Sequence, residues 1–351
     1  MGKRRCTIKD VAEHAGVAVS TASLVLNNKG YVRDDLRRKV RLAVEELGYI
    51  PNRSARSLIS KATGNIGFIV SEEHFSTAEP FYTRVFLGTE FEARQHDFYV
   101  LLTTVPNKFH SSHVPRFIAE HNVDGVIFAG KISEAYADAI LAENMPSVVV
   151  DYEFKRVRIP SVNIDNIRGV ALAVGHLTNL GHKRIAFIGG DLAHPSISAR
   201  LGGYSDSVRP LGNLDQEKLV FADEPGTGVD DGYRAAVKLI DAGKEFTSII
   251  ACNDAMAIGA VRAFRERGID IPDKCSIVGF DDIELCDHVE PRLTSIRVPK
   301  EDLGATALRV LTRLIKEERI ISSVLVEPTL VARESTKEIS NGYSRACRPA
   351  D

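Results

Sequence analysis

The chain has 351 residues, which is enough for more than one hydrophobic core. Its 44% hydrophobic and 26% charged residues suit a globular protein, and no apolar run approaches the roughly 20 residues that span a bilayer, which argues against a helical membrane protein. The net charge of −2 hides an asymmetry: residues 1–61 hold 13 Lys or Arg against 6 acids, a balance of +7, which leaves −9 on the rest.

The first 60 residues carry the strongest local signals. Thr7-Ile8-Lys9-Asp10-Val11-Ala12-Glu13-His14-Ala15 reads as a helix with Thr7 as its N-cap, broken at Gly16-Val17. Residues 19–26 restart a second short helix rich in small side chains, so the pair reads as a helix-turn-helix. A third helix is expected from about Asp34 to Leu47, because Leu36, Val40, Ala43, Val44 and Leu47 fall at helical spacing. Gly48 closes it and Pro51 follows. Residues 52–59 are too short for a stable helix alone and read as a linker that folds against DNA. A basic head with a helix sized for the major groove points to duplex DNA.

From Gly64 the pattern changes to buried strands alternating with helices. Strands are expected at 66–70, 99–103, 125–128 and 148–150, with helices at 81–95, 114–120 and 134–143 between them. A second series places strands at 185–188, 219–221, 248–251 and 276–280, and helices at 168–180, 200–208, 231–242 and 255–267. Two such series predict two doubly wound parallel-sheet α/β lobes, with a ligand at the strand carboxyl ends in the cleft between them. The resulting division is a head over 1–50, a hinge over 51–62, a two-lobed body over 63–335 and a loose polar tail over 336–351.

The basic N-terminus has no apolar segment behind it, so no secretory signal is expected, and five scattered cysteines read as reduced thiols of a cytoplasmic protein. No metal or other cofactor is expected. His110-Ser111-Ser112-His113 lacks further ligands, and Gly226-Thr227-Gly228-Val229-Asp230-Asp231-Gly232 misses the dinucleotide spacing and reads as a loop. No nucleophile-elbow, P-loop or zinc-protease motif supports an enzyme.

Head, hinge and body together resemble the lactose-repressor/galactose-repressor family of bacterial transcription regulators over roughly residues 6–335. The matching blocks include Thr7 to Ala12, Ala15-Gly16-Val17, Leu47-Gly48-Tyr49, Ala55-Arg56-Ser57-Leu58, Asn163-Ile164-Asp165-Asn166, Asn253-Asp254-Ala255-Met256, Val278-Gly279-Phe280-Asp281-Asp282 and Pro291-Arg292-Leu293-Thr294-Ser295. The resemblance implies a homodimer, of periplasmic-binding-protein type in its body, that binds a pseudo-palindromic operator. It implies a repressor whose operator affinity is set by a small effector, with a sugar expected. The positions that match the family's base readers are Val19, Ser20 and Leu24; Ser20, Thr21 and Asn27 read as phosphate contacts, which position without specifying, and DNA contacts are further expected for Thr7 in the head and for Asn52, Ala55, Arg56 and Leu58 in the hinge. Leu58 would wedge into the minor groove at the operator centre, its bland reading being a linker residue packed on the body. Leu24 stands where relatives carry a polar or basic reader, so it either touches a thymine methyl or packs inward.

For the effector, the resemblance implies Arg200 and Asp281 as polar clamps, with Phe81 and Tyr82 lining the first lobe. Asp151, Asn253 and Ser196 are candidates from strand ends and loops, and His194 is a weaker one. Bland readings stand beside these: Phe81 as core, Asp281 as a turn cap, Arg200 as an ion-pair former at a helix start. The segment Glu224-Pro225-Gly226-Thr227-Gly228 that follows Phe221 holds no aromatic and the chain has no Trp, so the stacking wall differs from that of some relatives. The alternatives to a regulator are a solute-binding protein or a sugar-processing α/β enzyme with an accessory DNA-binding head.

Overall fold

The computed structural model describes residues 6–27, 30–49, 62–72, 81–106, 108–110, 113–212, 219–318, 323–339 and 347. The chain divides into two compact units, Met1–Gly64 and Asn65–Asp351.

The first unit holds α1 (Ile8–His14), α2 (Val19–Leu26) and α3 (Asp34–Leu47). Thr7 and Asp10 form a reciprocal capping box: the Thr7 amide donates to the Asp10 carboxylate at 2.7 Å, and the Asp10 amide donates to Thr7 Oγ1 at 3.4 Å. Gly16 takes φ +62° and lets the chain turn without a Cβ penalty. Val11, Ala12, Ala22, Val25, Val40 and Ala43 form a small core, narrow enough for three short helices to meet closely. His14 Nε2 lies 2.6 Å from Glu46, tying α1 to α3 at the surface.

The second unit contains two six-stranded sheets. The N-terminal lobe is built on β1 (Asn65–Ser71), β2 (Tyr99–Val105), β3 (Gly125–Ala129), β4 (Ser147–Val150), β5 (Ser161–Ile164) and β11 (Val324–Val326), in the order β11-β5-β4-β3-β1-β2 and all parallel. The C-terminal lobe is built on β6 (Ile185–Ile188), β7 (Val220–Phe221), β8 (Ser248–Ala251), β9 (Ser276–Asp281), β10 (Thr294–Arg297) and β12 (Thr329–Val331), in the order β12-β10-β9-β8-β6-β7. Among the described residues only the β10–β12 pair is antiparallel. Helices cover both faces, which is why β3, β4, β6 and β8 are buried end to end rather than alternating. The helices are α4 (Phe81–Gln95), α5 (Arg116–Ala119), α6 (Glu134–Leu141), α7 (Asn166–Asn179), α8 (Pro195–Val208), α9 (Val229–Asp241), α10 (Asp254–Glu266) and α11 (Lys300–Ile315).

Among the described residues the chain passes between lobes at Asp165, at Val298-Pro299 and at Glu327-Pro328. Sequence periodicity finds the two strand-helix series but not β5, β10, α11, β11 or β12. β5 (Ser161-Val162-Asn163-Ile164) and β10 (Thr294-Ser295-Ile296-Arg297) lack the continuous apolar run that marks β4, β6 and β8, and β11 and β12 have three residues each and complete the sheets by pairing with β5 and β10.

The loose tail expected from residue 336 is corrected where it is described. The Lys337 amide donates to Ser276 Oγ at 3.0 Å, the Ile339 amide to the Leu180 carbonyl at 2.9 Å, and Cys347 is buried with its amide on the Phe246 carbonyl at 2.8 Å. His182, buried on the C-terminal lobe, takes part through Nε2, 3.2 Å from the Lys337 carbonyl. Backbone hydrogen bonds hold this segment, so no apolar period announces it.

Candidate DNA-reading face and effector cleft

On α2, Ala22 and Val25 turn inward. Val19, Ser20 and Leu24 turn outward, with Val19 43% and Leu24 40% exposed. Two large aliphatic side chains on the solvent face of a short helix serve no core, and of the two readings of Leu24 the outward one is observed. Thr21 is half-buried, and Thr7 is exposed although its hydroxyl already donates to Asp10 at 2.7 Å. Asn27 turns back on its own helix, its amide donating to the Ser23 carbonyl at 2.8 Å. Arg33 precedes α3 without capping it and lies 3.4 Å from Asp35. The hinge candidates Asn52, Ala55, Arg56 and Leu58 lie outside the described residues.

The cleft is assembled from strand ends of both lobes, where parallel sheets collect ligands. Asp151 follows β4 at φ +55°, and its carboxylate is gripped from both sides. Tyr82 on α4 donates to Oδ2 at 2.9 Å, and Ser196 on α8, in the other lobe, donates to Oδ1 at 2.7 Å. Burial pushes the Tyr82 phenol well above its usual range, and the neighbouring Asp151 charge pushes it further. Phe81 meets Tyr82 edge to face, with ring centroids 5.0 Å apart.

Arg200 lies in the middle of α8, since the helix begins at Pro195 and not at Arg200. Only 3% exposed, its guanidinium donates to Asn166 Oδ1 at 2.8 Å, to the Cys252 carbonyl at 2.6 Å and to Asp281 Oδ1 at 3.2 Å. It stacks 3.7 Å over the Phe280 ring. A buried guanidinium needs such a set, because an unpaired charge there is strongly destabilising. Asp281 ends β9 at φ +103°, a left-handed region that side chains avoid, and Asp282 follows at +52°. Burial raises the Asp281 carboxyl, while Arg200 and Lys300 pull it back down.

Asn253 lies beside Cys252. Its Oδ1 caps α10 by accepting from the Met256 amide at 2.9 Å, and its Nδ2 donates to the Thr227 carbonyl at 3.0 Å. That second bond anchors the Gly226–Gly228 loop, which leads into α9 as expected of a loop. His194 caps α8, its Nδ1 accepting from the Ser196 amide at 3.3 Å.

The structure therefore joins Phe81, Tyr82, Asp151 and Ser196 in one chain of contacts and Arg200 with Asp281 in another, with Asn253 next to the carbonyl that Arg200 holds. Sequence reasoning missed three residues that shape this cleft: Asn166, Lys300 and Asp254. The Asp254 carboxylate accepts from Ser295 Oγ at 2.6 Å and from the Ile283 amide at 2.9 Å, so it holds the loop that carries Asp281. Burial, reinforced by the Asp281 charge, pushes Asp254 up to about 7. Its place directly after Asn253, in a chain segment with no other acid, is the one local signal. Among the described residues no group of three or more His, Cys, Asp or Glu is placed to hold a metal, and no helix is long and apolar enough to cross a membrane.

Comparison with known proteins agrees with this architecture. Residues 7–52 match the model of bacterial regulatory proteins of the lacI family, and residues 174–336 match a periplasmic binding protein-like domain. Catabolite control protein A of Priestia megaterium is 32% identical over 335 residues, covering 94% of this chain and 99% of that protein. The regulator GalR of Escherichia coli K12 is 31% identical over 336 residues, covering 94% and 95%. Among solved structures, the lac repressor dimer bound to operator and the anti-inducer ONPF superposes with a TM-score of 0.77 at 30% identity, covering 95% of this chain and all of that one. The complex of the regulator CelR with cellobiose gives 0.70 at 30% identity, covering 94% and 100%. With its helix-turn-helix head and its two-lobed body, the chain belongs to the lacI family of bacterial regulatory proteins and is a DNA-binding transcriptional regulator.

Proposed function

We propose that this regulator is a homodimeric cytoplasmic repressor whose operator affinity is set by a sugar bound between the two lobes of its body. The observation that carries this reading is the pair of carboxylates, Asp151 from one lobe, held by Ser196, and Asp281 from the other, paired with the planar donor Arg200. Vicinal hydroxyls need such acceptors and such a fork. Phe81 and Tyr82 supply the apolar wall. The related CelR binds cellobiose, and a relative from Enterococcus faecium binds ribose, which supports the ligand class.

Asp151 already holds Tyr82 and Ser196, and Asp281 already holds Arg200. A ligand hydroxyl entering the cleft competes for the Ser196–Asp151 bond, which joins the lobes. Ligand and lobe geometry are thereby coupled, and the geometry that holds two hinges together favours the operator. In this reading Val19, Ser20 and Leu24 face the major groove and Leu58 the minor groove. The body binds its ligand and catalyses no step.

The test is selection of bound duplexes from a random pool, followed by titration of sugars against the selected site. A two-fold symmetric site released by a sugar is expected. Recovery of no consensus, with only salt-sensitive binding, removes the operator reading. Leu58→Ala should weaken binding to the selected site by at least about tenfold while sparing random DNA. Equal loss on both removes the wedge.

A further inference from the structure

Lys300 is in an expensive place. It is 6% exposed, and it is the first residue of α11, where the helix dipole disfavours a cation. Among the described residues its ammonium makes no ion pair. It donates instead to two backbone carbonyls, those of Asp281 and, at 3.4 Å, Asp282. These are the two consecutive residues with left-handed φ in the cleft loop. On its other side the ammonium lies 5.8 Å from the centre of the Phe81 ring, and the side chain lines a cavity of about 590 Å³ between the lobes.

What the ammonium joins explains the cost. The carbonyls belong to the C-terminal lobe and present the Asp281 carboxylate to Arg200. Lys300 itself belongs to α11, which packs on β3, β4 and β5 of the N-terminal lobe. That helix cannot give way independently, because α4 and α11 meet backbone to backbone at two glycines. A Cβ on Gly88 would lie 2.0 Å from the Glu301 carbonyl oxygen, and one on Gly304 would lie 1.9 Å from the Val85 carbonyl oxygen. Phe81 and Tyr82 begin α4. A shift of the Asp281 loop is therefore passed through Lys300 to a rigid helix pair that carries the opposite wall of the cleft.

We propose that Lys300 is a positioning residue that latches the Asp281–Asp282 loop of one lobe to the α4–α11 pair of the other, and so converts occupancy of the cleft into lobe geometry. The inference rests on the two-lobe reading above. Its test needs neither operator nor sugar, so the two fail separately.

Spin labels at Glu143→Cys and Lys244→Cys, both exposed and in different lobes, report lobe separation in the full-length protein with Cys6→Ser. Hydrogen exchange at the Asp282 and Ile283 amides reports the loop. Lys300→Met should broaden the distance distribution and speed exchange at these two amides by about tenfold, while β8 and β9 stay protected. Lys300→Arg should restore both. An unchanged distribution in Lys300→Met overturns the latch. So does exchange that rises equally through β8 and β9, since that is general destabilisation.

Discussion

The head and the body keep their working residues in opposite places. In the head the core is eight small aliphatic residues, and Val19, Ser20 and Leu24 stand outside it on one short helix. In the body Tyr82, Asp151, Ser196, Arg200 and Asn253 are buried and bonded to partners far along the chain. A surface that meets a large rigid partner needs only one helix face. A cleft that must enclose a small polar ligand and report on it needs buried polar groups, whose cost is offset only while every partner is present. Substitutions in the body should therefore disturb stability and response together, and substitutions on the head's outer face should separate them.

The largest effect is expected at Arg200. Arg200→Ala strands Asp281 and Asn166 without their donor and should cost about 3–5 kcal/mol of body stability, measured by denaturant unfolding, with loss of any sugar response. A stable variant that has lost only the response would show that the cleft resembles the head more than the comparison allows.

Asp254 ties the stability of the body to pH. Its carboxyl, at about 7 in the folded body against a usual 3.8, keeps its proton when the unfolded chain has lost it. The folded state thus binds more protons between those values, and this group makes stability fall as pH rises from about 4 to about 7. The groups facing it are Ser295, the Ile283 amide, Cys286 and Asp281. Asp254→Asn should flatten that part of the pH–stability profile, and an unchanged slope would remove the assignment.

Smaller effects belong to the head. Thr7→Ala breaks the capping box and should cost the head about 1 kcal/mol, seen in its thermal midpoint. Leu24→Ala should change stability by less than about 0.5 kcal/mol while weakening binding to the selected operator. A larger stability loss would mean that Leu24 packs inward and that the head, too, mixes core with site.

Much of this was open to local reading. The capping box at Thr7, the turn at Gly16 and the close at Gly48 lie within a few residues of the structures they make, so the bounds of α1, α2 and α3 agree with expectation. The two strand-helix series were equally legible, because buried parallel strands are continuous apolar runs. The composition of the cleft came from resemblance to a family, and its connections did not.

The basic three-helix head, the acidic α/β body in two halves and the family to which they belong could be read from residues alone, since each rests on local periodicity, charge or ordered motifs. The folded chain alone places Asp151 between the lobes, makes Arg200 a buried interior residue rather than a helix-start cation, sets Asp254 and Lys300 to hold the Asp281 loop, and fastens residues 336–339 to the strands and helix end of the C-terminal lobe. Those facts rest on partners 18 to 160 residues apart, such as Lys300 with Asp282 and His176 with Thr336, and no local pattern encodes a contact between segments that only the folded chain brings together.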